Sequence, residues 1–507
     1  VTDAGPIYLD HAAGTPVDPA VAAAMAACLA QPALAANPSA VGHAAGRQAA
    51  ALVESARADV AALLGAEPAE IVFTSGATES NNLALAGAAR FRQARGRHLV
   101  SSLAEHRAVI EPLRALEREG FHVTWLAPGP DGAVTRAAVA AALRPDTTLV
   151  SLMHVNNETG AVTDVAAIGA LCRERDVLFH VDAAQSAARL PIDVRAQGID
   201  LLSLSAHKLY GPKGVGALFI DRERPGRVEP LFHGGGQERG LRPGTLATHQ
   251  LLGFGLACRL AAGRRAADRA RERALRDRLA GALRGLPGVV LNAEAGEPAG
   301  HILSVTVLGV DGESLFAALP GLAVASGAAC ASPGGEPSYV LRLLGRTPAE
   351  AEATVRFSLG RTTTAADVDA AAAQFAAAAA ALRAESPATG EPDPGPAGAG
   401  RTLRGEAGPV ATGPRVVVAA TAAAGRLGGV AFRLSACPDV RRTCRALAPR
   451  LAGQPVTALG AIDVLALGRD LGVPVEKAGR LLIVQDALRN CLADWENGEL
   501  PRAGQGA

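Results

Sequence analysis

At 507 residues the chain is long for one ordinary domain, and with 49% apolar residues it can bury several cores. Its 50 basic against 49 acidic side chains leave a formal charge of +1, which excludes bulk attraction to nucleic acid or anionic membrane and leaves small acidic or zwitterionic substrates open. The seven cysteines form no CxxC pair and are too thinly spread for a disulfide framework, so they read as reduced thiols of a cytoplasmic protein. Val1 to Pro6 shows neither the basic stretch nor the apolar core of an export signal.

From about residue 50 to 260, helical stretches alternate with short apolar runs such as Ile71-Val72-Phe73, Leu99-Val100, Leu149 to Leu152 and Val177 to Val181. That alternation predicts an α/β domain with a largely parallel sheet. Ala267 to Leu286 predicts a helix joining this domain to a smaller one that runs to about residue 385. Thr347-Pro348-Ala349-Glu350 has the form of a capping box with proline at the first helical position, so a helix should start there. Ala370 to Leu382 is mostly alanine and flanked by Asp369 and Arg383, which favours a soluble helix over a membrane span. Residues 386–414 turn to Pro, Gly, Ala and Thr, a composition that predicts a flexible linker. Beyond it, Val416 to Val418 and Val430 to Phe432 predict strands, and Asp439 to Leu451 and Gly479 to Trp495 predict helices, giving a small α+β domain over 415–500.

Six segments carry candidate chemistry. Lys208, in Ser205-Ala206-His207-Lys208, follows the apolar run Ile199 to Leu204 and could sit at the mouth of a sheet, where burial or a neighbouring cation frees an amine for Schiff-base chemistry. Asp182 ends another apolar run and needs a cationic partner there; the protonated ring nitrogen of pyridoxal 5'-phosphate is one, with Gln185 placed to donate to the ring hydroxyl. Phe73 to Asn82 passes from a strand through Ser75-Gly76 into a helix start, where free N–H groups at Ala77 and Thr78 and the Thr78 hydroxyl suit a phosphate. His106 follows Glu105 and could bring an imidazole over a ring. Cys330 lies in a run of small and turn-forming residues from Ala325 to Ser338, which predicts a surface loop, and Arg356 stands in an apolar strand-like run where a carboxylate would satisfy it. No set of residues suggests a metal site.

Taken together, these segments resemble the class V aminotransferase family, and within it the cysteine desulfurases of the NifS and IscS type, from Ile7-Tyr8-Leu9-Asp10-His11-Ala12-Ala13 to Arg356-Phe357-Ser358-Leu359-Gly360-Arg361. The resemblance implies the fold type I of pyridoxal-phosphate enzymes: a large domain (about 15–262) on a mostly parallel seven-stranded sheet, and a small α/β domain (about 1–14 and 263–385). It implies that Lys208 carries the cofactor, Asp182 meets the ring nitrogen, Gln185 the ring hydroxyl, His106 stacks, and Ala77, Thr78, Ser205 and His207 hold the phosphate. Asn157 and Arg356 match substrate-carboxylate positions, and Gly234 to Thr245 resembles the segment through which one subunit completes the phosphate site of the other, with Thr245 the contributing residue and a homodimer the expectation. Cys330 to Leu341 matches the longer cysteine loop of this group. The implied activity takes sulfur from L-cysteine onto Cys330 as a persulfide, releases L-alanine and passes sulfur to an acceptor such as an iron–sulfur scaffold protein. Selenocysteine lyase activity and a non-catalytic sulfur-carrier platform stay open as alternatives.

Residues 415–495 more weakly resemble an IscU-type iron–sulfur scaffold through Phe432 to Cys437 and Asp486 to Trp495. Only Cys437 matches a cluster-ligand position, and Arg480 stands where a later cysteine belongs. The resemblance therefore implies a degenerate module that docks, or that relays sulfur through Cys437.

Overall fold

Short runs of Val, Ile, Leu and Phe that are apolar on both faces make strands only when both faces are covered, and such runs supply most of the seven strands of the largest sheet, with the half-exposed run His122–Leu126 at its edge. The seven strands are β1 (Ile71–Thr74), β2 (His98–Ser102), β3 (His122–Leu126), β4 (Thr147–Met153), β5 (Leu178–Asp182), β6 (Leu201–Ser205) and β7 (Gly216–Ile220), in the order β1-β7-β6-β5-β4-β2-β3. Only β7 runs antiparallel to its neighbours. The computed structural model describes residues 5–223, 228–296, 298–326, 337–386, 391–396, 400–408 and 414–499.

Strand alternation sorts successive side chains to opposite cores. Phe73, Phe179 and Phe219 join Phe254 on one face, while Val72, Leu178 and Leu218 join Leu83 and Leu113 on the other. Helices α1 (Ala77–Arg92) and α2 (Arg107–Arg118) cover the second face.

Helix α3 (Thr248–Leu283) is a single 36-residue helix that serves two cores. Its first half gives Leu251, Phe254 and Ala257 to the large core, and its second half gives Leu275, Leu279 and Leu283 to another. The joining helix expected from Ala267 thus begins much earlier, because the apolar face that starts at Leu251 turns directly into the one that ends at Leu283. Around the second core lie the antiparallel strands β8 (Val289–Leu291), β9 (Ile302–Val307), β10 (Ala325–Ser326) and β11 (Thr354–Ser358), in the order β10-β11-β9-β8, with the short helix α4 (Tyr339–Leu343) nearby. The capping box at Thr347 and Glu350 forms as predicted. Helix α5 (Ala365–Ala384) is long and apolar enough to cross a membrane by composition, yet it lays Val368, Ala371, Phe375 and Leu382 into the second core.

The third unit is a meander of β12 (Arg401–Ala407), β13 (Arg415–Ala423) and β14 (Arg426–Ser435), covered by α6 (Pro438–Leu451) and α7 (Leu482–Glu499). Strand β12 corrects the reading of 386–414 as linker throughout. Its small residues are there for close packing: a Cβ at Gly405 would come within 2.1 Å of the Ala487 carbonyl oxygen on α7, and Leu403 is wholly buried. Glu385 pairs with Arg441 and Arg445, and Glu313 with Lys477 and Arg480, so ion pairs tie this unit to the second one.

Candidate active site

Parallel strands gather their carboxyl ends at one edge of the sheet, where the loops that follow them form a crevice. Here that edge opens into a cavity of about 520 Å³ lined by Gly76, Ala77 and Thr78 after β1, His106 after β2, Asn157 after β4, Asp182 and Gln185 at the end of β5, Ser205, His207 and Lys208 at the end of β6, and Arg356 of β11. Residues read from segments up to 280 positions apart are thus brought together, since 356 minus 76 is 280. Thr245 is exposed and does not line the cavity of its own chain. Cys330 lies outside the described residues.

Lys208 ends a 3-10 turn, and its Nζ donates to the carbonyl oxygens of Ala12 and, at 3.0 Å, Ala13. Burial, reinforced by the Arg356 charge and opposed by Asp10 and Asp182, lowers its pKa to about 8. A lysine in that state gives up its proton near neutrality and is a competent nucleophile and base.

Asp182 is buried, and both its oxygens are held: Oδ2 accepts from Asn81 Nδ2 at 2.8 Å and Oδ1 from the Ala184 N–H at 2.9 Å. Gln185 donates from Nε2 to the Ala12 carbonyl at 2.8 Å. His106 caps α2 by accepting the Ala108 N–H on Nδ1 at 3.0 Å, and burial lowers its pKa against the pull of Asp182. The imidazole is therefore neutral at physiological pH, with its proton on Nε2.

At the head of α1, Gly76 adopts φ 155°, a conformation that suits glycine, and no side chain caps the helix. A Cβ there would project into the gap before Ser205 Oγ, 3.7 Å away. Ser205 Oγ in turn pairs with His207 Nδ1 at 2.8 Å. Uncapped first-turn N–H groups, two hydroxyls and an imidazole around a glycine-made cradle fit a phosphate.

Arg356 is nine-tenths buried and splits its donors, Nη1 to the Asn157 carbonyl oxygen at 2.8 Å and Nη2 to Asp10 at 2.7 Å. Beneath Lys208, the Arg189–Glu272 pair at 3.1 Å is almost wholly buried, and Arg189 also donates to the Lys208 carbonyl oxygen. Asn81 stands one helical turn beyond Thr78 on the same helix, so helical spacing from the phosphate residues could have flagged it. Nothing local in the sequence marks the Arg189–Glu272 pair.

The aminotransferase class-V family model matches residues 7–371. The chain belongs to the aminotransferase class-V family. This is a family of pyridoxal-phosphate enzymes, and the cavity of this class-V member has the lysine, buried carboxylate and phosphate cradle that the cofactor needs. Cysteine desulfurase IscS of Shewanella sediminis is 51% identical over 363 residues, covering 72% of this chain and 90% of that protein. Cysteine desulfurase IscS of Pseudomonas aeruginosa is 53% identical over the same length and coverage. The solved structure of SspA in complex with cysteine is 38% identical, covers 70% of this chain and 99% of that one, and superposes with a TM-score of 0.62. The class-V match ends at residue 371, before the C-terminal unit begins.

Proposed function

We propose that the chain is a pyridoxal-phosphate-dependent cysteine desulfurase that converts L-cysteine to L-alanine and leaves the sulfur as a persulfide on Cys330. The observation that carries this reading is the Lys208 amine, brought to a pKa of about 8 within one cavity that also holds Asp182, His106 and Arg356. It is supported by more than half identity to cysteine desulfurases over most of their length.

The cofactor's phosphate would be held by Ala77, Thr78, Ser205 and His207 with Thr245 of a second copy, its ring nitrogen by Asp182, its ring hydroxyl by Gln185, its face by His106 and its carbonyl carbon by Lys208. When bound, pyridoxal phosphate supplies an aldehyde for the substrate amine and a conjugated ring for the electron pair left at Cα. Arg356 and Asn157 orient the substrate carboxylate, which fixes Cα near Lys208. Lys208, deprotonated close to neutrality, takes the Cα proton. The neutral His106 carries a proton on Nε2 that it can hold or hand on within the same cavity. The Cys330 thiolate attacks the substrate sulfur: an S–S bond forms, the Cβ–S bond breaks with its electron pair to carbon, one proton completes the methyl group, and the proton held by Lys208 returns to Cα to give L-alanine.

The C-terminal unit is a degenerate IscU-type module that acts as a docking element. Support comes from Cys437, at the N-cap of α6 two residues before Asp439, with Arg480 and Lys477 beside it instead of further thiols. Cys444 and Cys491 are buried in that unit's core, and burial pushes both thiols up. The sulfur acceptor is a separate protein of the iron–sulfur scaffold kind, the working form a homodimer, and the setting a reducing cytoplasm.

The test is mass analysis of Cys330 after one turnover with L-cysteine. Gain of one sulfur atom on Cys330, matched by one L-alanine, supports the reading; L-alanine without sulfur on Cys330 contradicts it.

A further inference from the structure

A second cavity, of about 330 Å³, opens between the loop after β3, helix α3 and the loop after β8, and none of its lining residues lines the catalytic cavity. One hairpin forms the wall between the two. Val155 and Val162 pair in an antiparallel bridge, and the Asn156 N–H donates to the Ala161 carbonyl oxygen at 2.9 Å. Met153, Val155 and Asn157 line the catalytic cavity, while His154, Val162 and Thr163 line the second one. The alternation of an extended strand thus sends neighbouring side chains to different cavities.

The polar groups of the second cavity are not satisfied by the protein. His154 is 5% exposed, and among the described residues its Nδ1 is buried with no hydrogen-bond partner. An imidazole nitrogen removed from water and left unpaired is unfavourable, so a ligand that reaches it is favoured. Burial lowers the His154 pKa to about 4 against the opposing charge of Asp164, so the ring is neutral at physiological pH. Arg269 of α3 is half-buried at the same cavity and forms no ion pair among the described residues. Asp131 fixes its own turn through Oδ1, which accepts the Ala133 N–H at 3.1 Å; its Oδ2 lies on the side of Gly296, where a Cβ would stand 3.6 Å away.

These groups define the chemistry of an occupant. An unpaired guanidinium selects a carboxylate, and the Asp131 carboxylate selects an ammonium. The neutral His154 ring needs a donor or an acceptor at Nδ1 according to its tautomer, and a molecule with both charged ends brings both. Among the described residues no group of three His, Cys, Asp or Glu side chains is placed to hold a metal ion, which leaves an organic ligand.

We propose that this cavity is a second, non-catalytic binding site for a small amino-acid zwitterion, with its carboxylate on Arg269, its ammonium on Asp131 and one of its ends completing His154 Nδ1. The site is independent of the desulfurase reading, because it shares no residue with the catalytic cavity.

The experiment titrates the cofactor-loaded protein with glycine after borohydride reduction has fixed the cofactor to Lys208, so that no amine can displace it. Bound glycine is read by saturation-transfer NMR, for the natural protein and for Arg269→Gln, Asp131→Asn and Gly296→Leu. All three positions are half-buried or exposed, so the variants should fold. The expected result is saturable binding that weakens roughly tenfold or more in Arg269→Gln and in Asp131→Asn, and that is lost in Gly296→Leu, whose side chain occupies the space beside Asp131. Acetate and methylamine, each with one of the two charges, should bind at least about tenfold more weakly than glycine. A glycine midpoint unmoved by all three substitutions places the binding elsewhere and overturns the proposal. Absence of saturable binding leaves a solvent-filled cleft and overturns it too. Acetate or methylamine binding as tightly as glycine overturns the zwitterion assignment.

Discussion

Asn81 Nδ2 donates to Asp182 Oδ2 at 2.8 Å, and this bond joins the helix that begins the phosphate cradle to the carboxylate at the end of β5. A hydrogen bond to a charged group contributes about 1.5–3 kcal/mol. Asn81→Ala should therefore weaken cofactor affinity by roughly tenfold to a hundredfold, measured by absorbance titration of the apo protein. Unchanged affinity would remove Asn81 from the set of residues that orient Asp182.

The lowered pKa of Lys208 has a kinetic signature. Only the neutral amine can bond to the cofactor's aldehyde, so apo-protein capture of pyridoxal phosphate should rise with pH up to about 8 and then level off. Stopped-flow absorbance across pH gives the profile. A rate still climbing near the pKa of an ordinary lysine, about 10.4, would show that burial does not perturb this amine.

Arg189 and Glu272 form an ion pair with both side chains 2% exposed. Removing one partner leaves a buried charge uncompensated, so Arg189→Met should destabilise the enzyme by about 3–5 kcal/mol. Arg189→Met with Glu272→Leu should recover most of that loss, because no charge is then stranded. Thermal unfolding of the three proteins checks the order.

Gly405 offers a local test of the C-terminal unit. A side chain there collides with the Ala487 carbonyl and the Cys491 backbone of α7. Gly405→Val should cost about 1–3 kcal/mol of that unit's stability and speed amide exchange along β12 and α7. Exchange in the large sheet should be unchanged.

What was legible in the sequence was whatever chemistry confines to short motifs at strand ends. Lys208, Asp182, His106 and the Gly76–Thr78 turn each sit directly after an apolar run, and the structure places all of them around one cavity. Partnerships across long separations were not legible. Arg189 and Glu272 stand 83 positions apart, and Glu158 and Ser338 180 apart, so no local pattern links them. Strand β12 was hidden for another reason. Its glycine and alanine make room for α7, and composition alone does not distinguish residues small for packing from residues small for flexibility. Thr245 shows a third limit: it is exposed and lies off the cavity of its own chain, so the fold of this chain does not bring it to the other phosphate residues.

The most direct measurement is the yield of L-alanine and sulfide from L-cysteine under reductant, for the natural protein and for Cys330→Ser with cofactor bound. The account predicts equal amounts of both products from the natural protein, and loss of both from Cys330→Ser with its cofactor absorbance intact. Normal turnover by Cys330→Ser, or a cofactor-loaded natural protein that makes neither product, would contradict it.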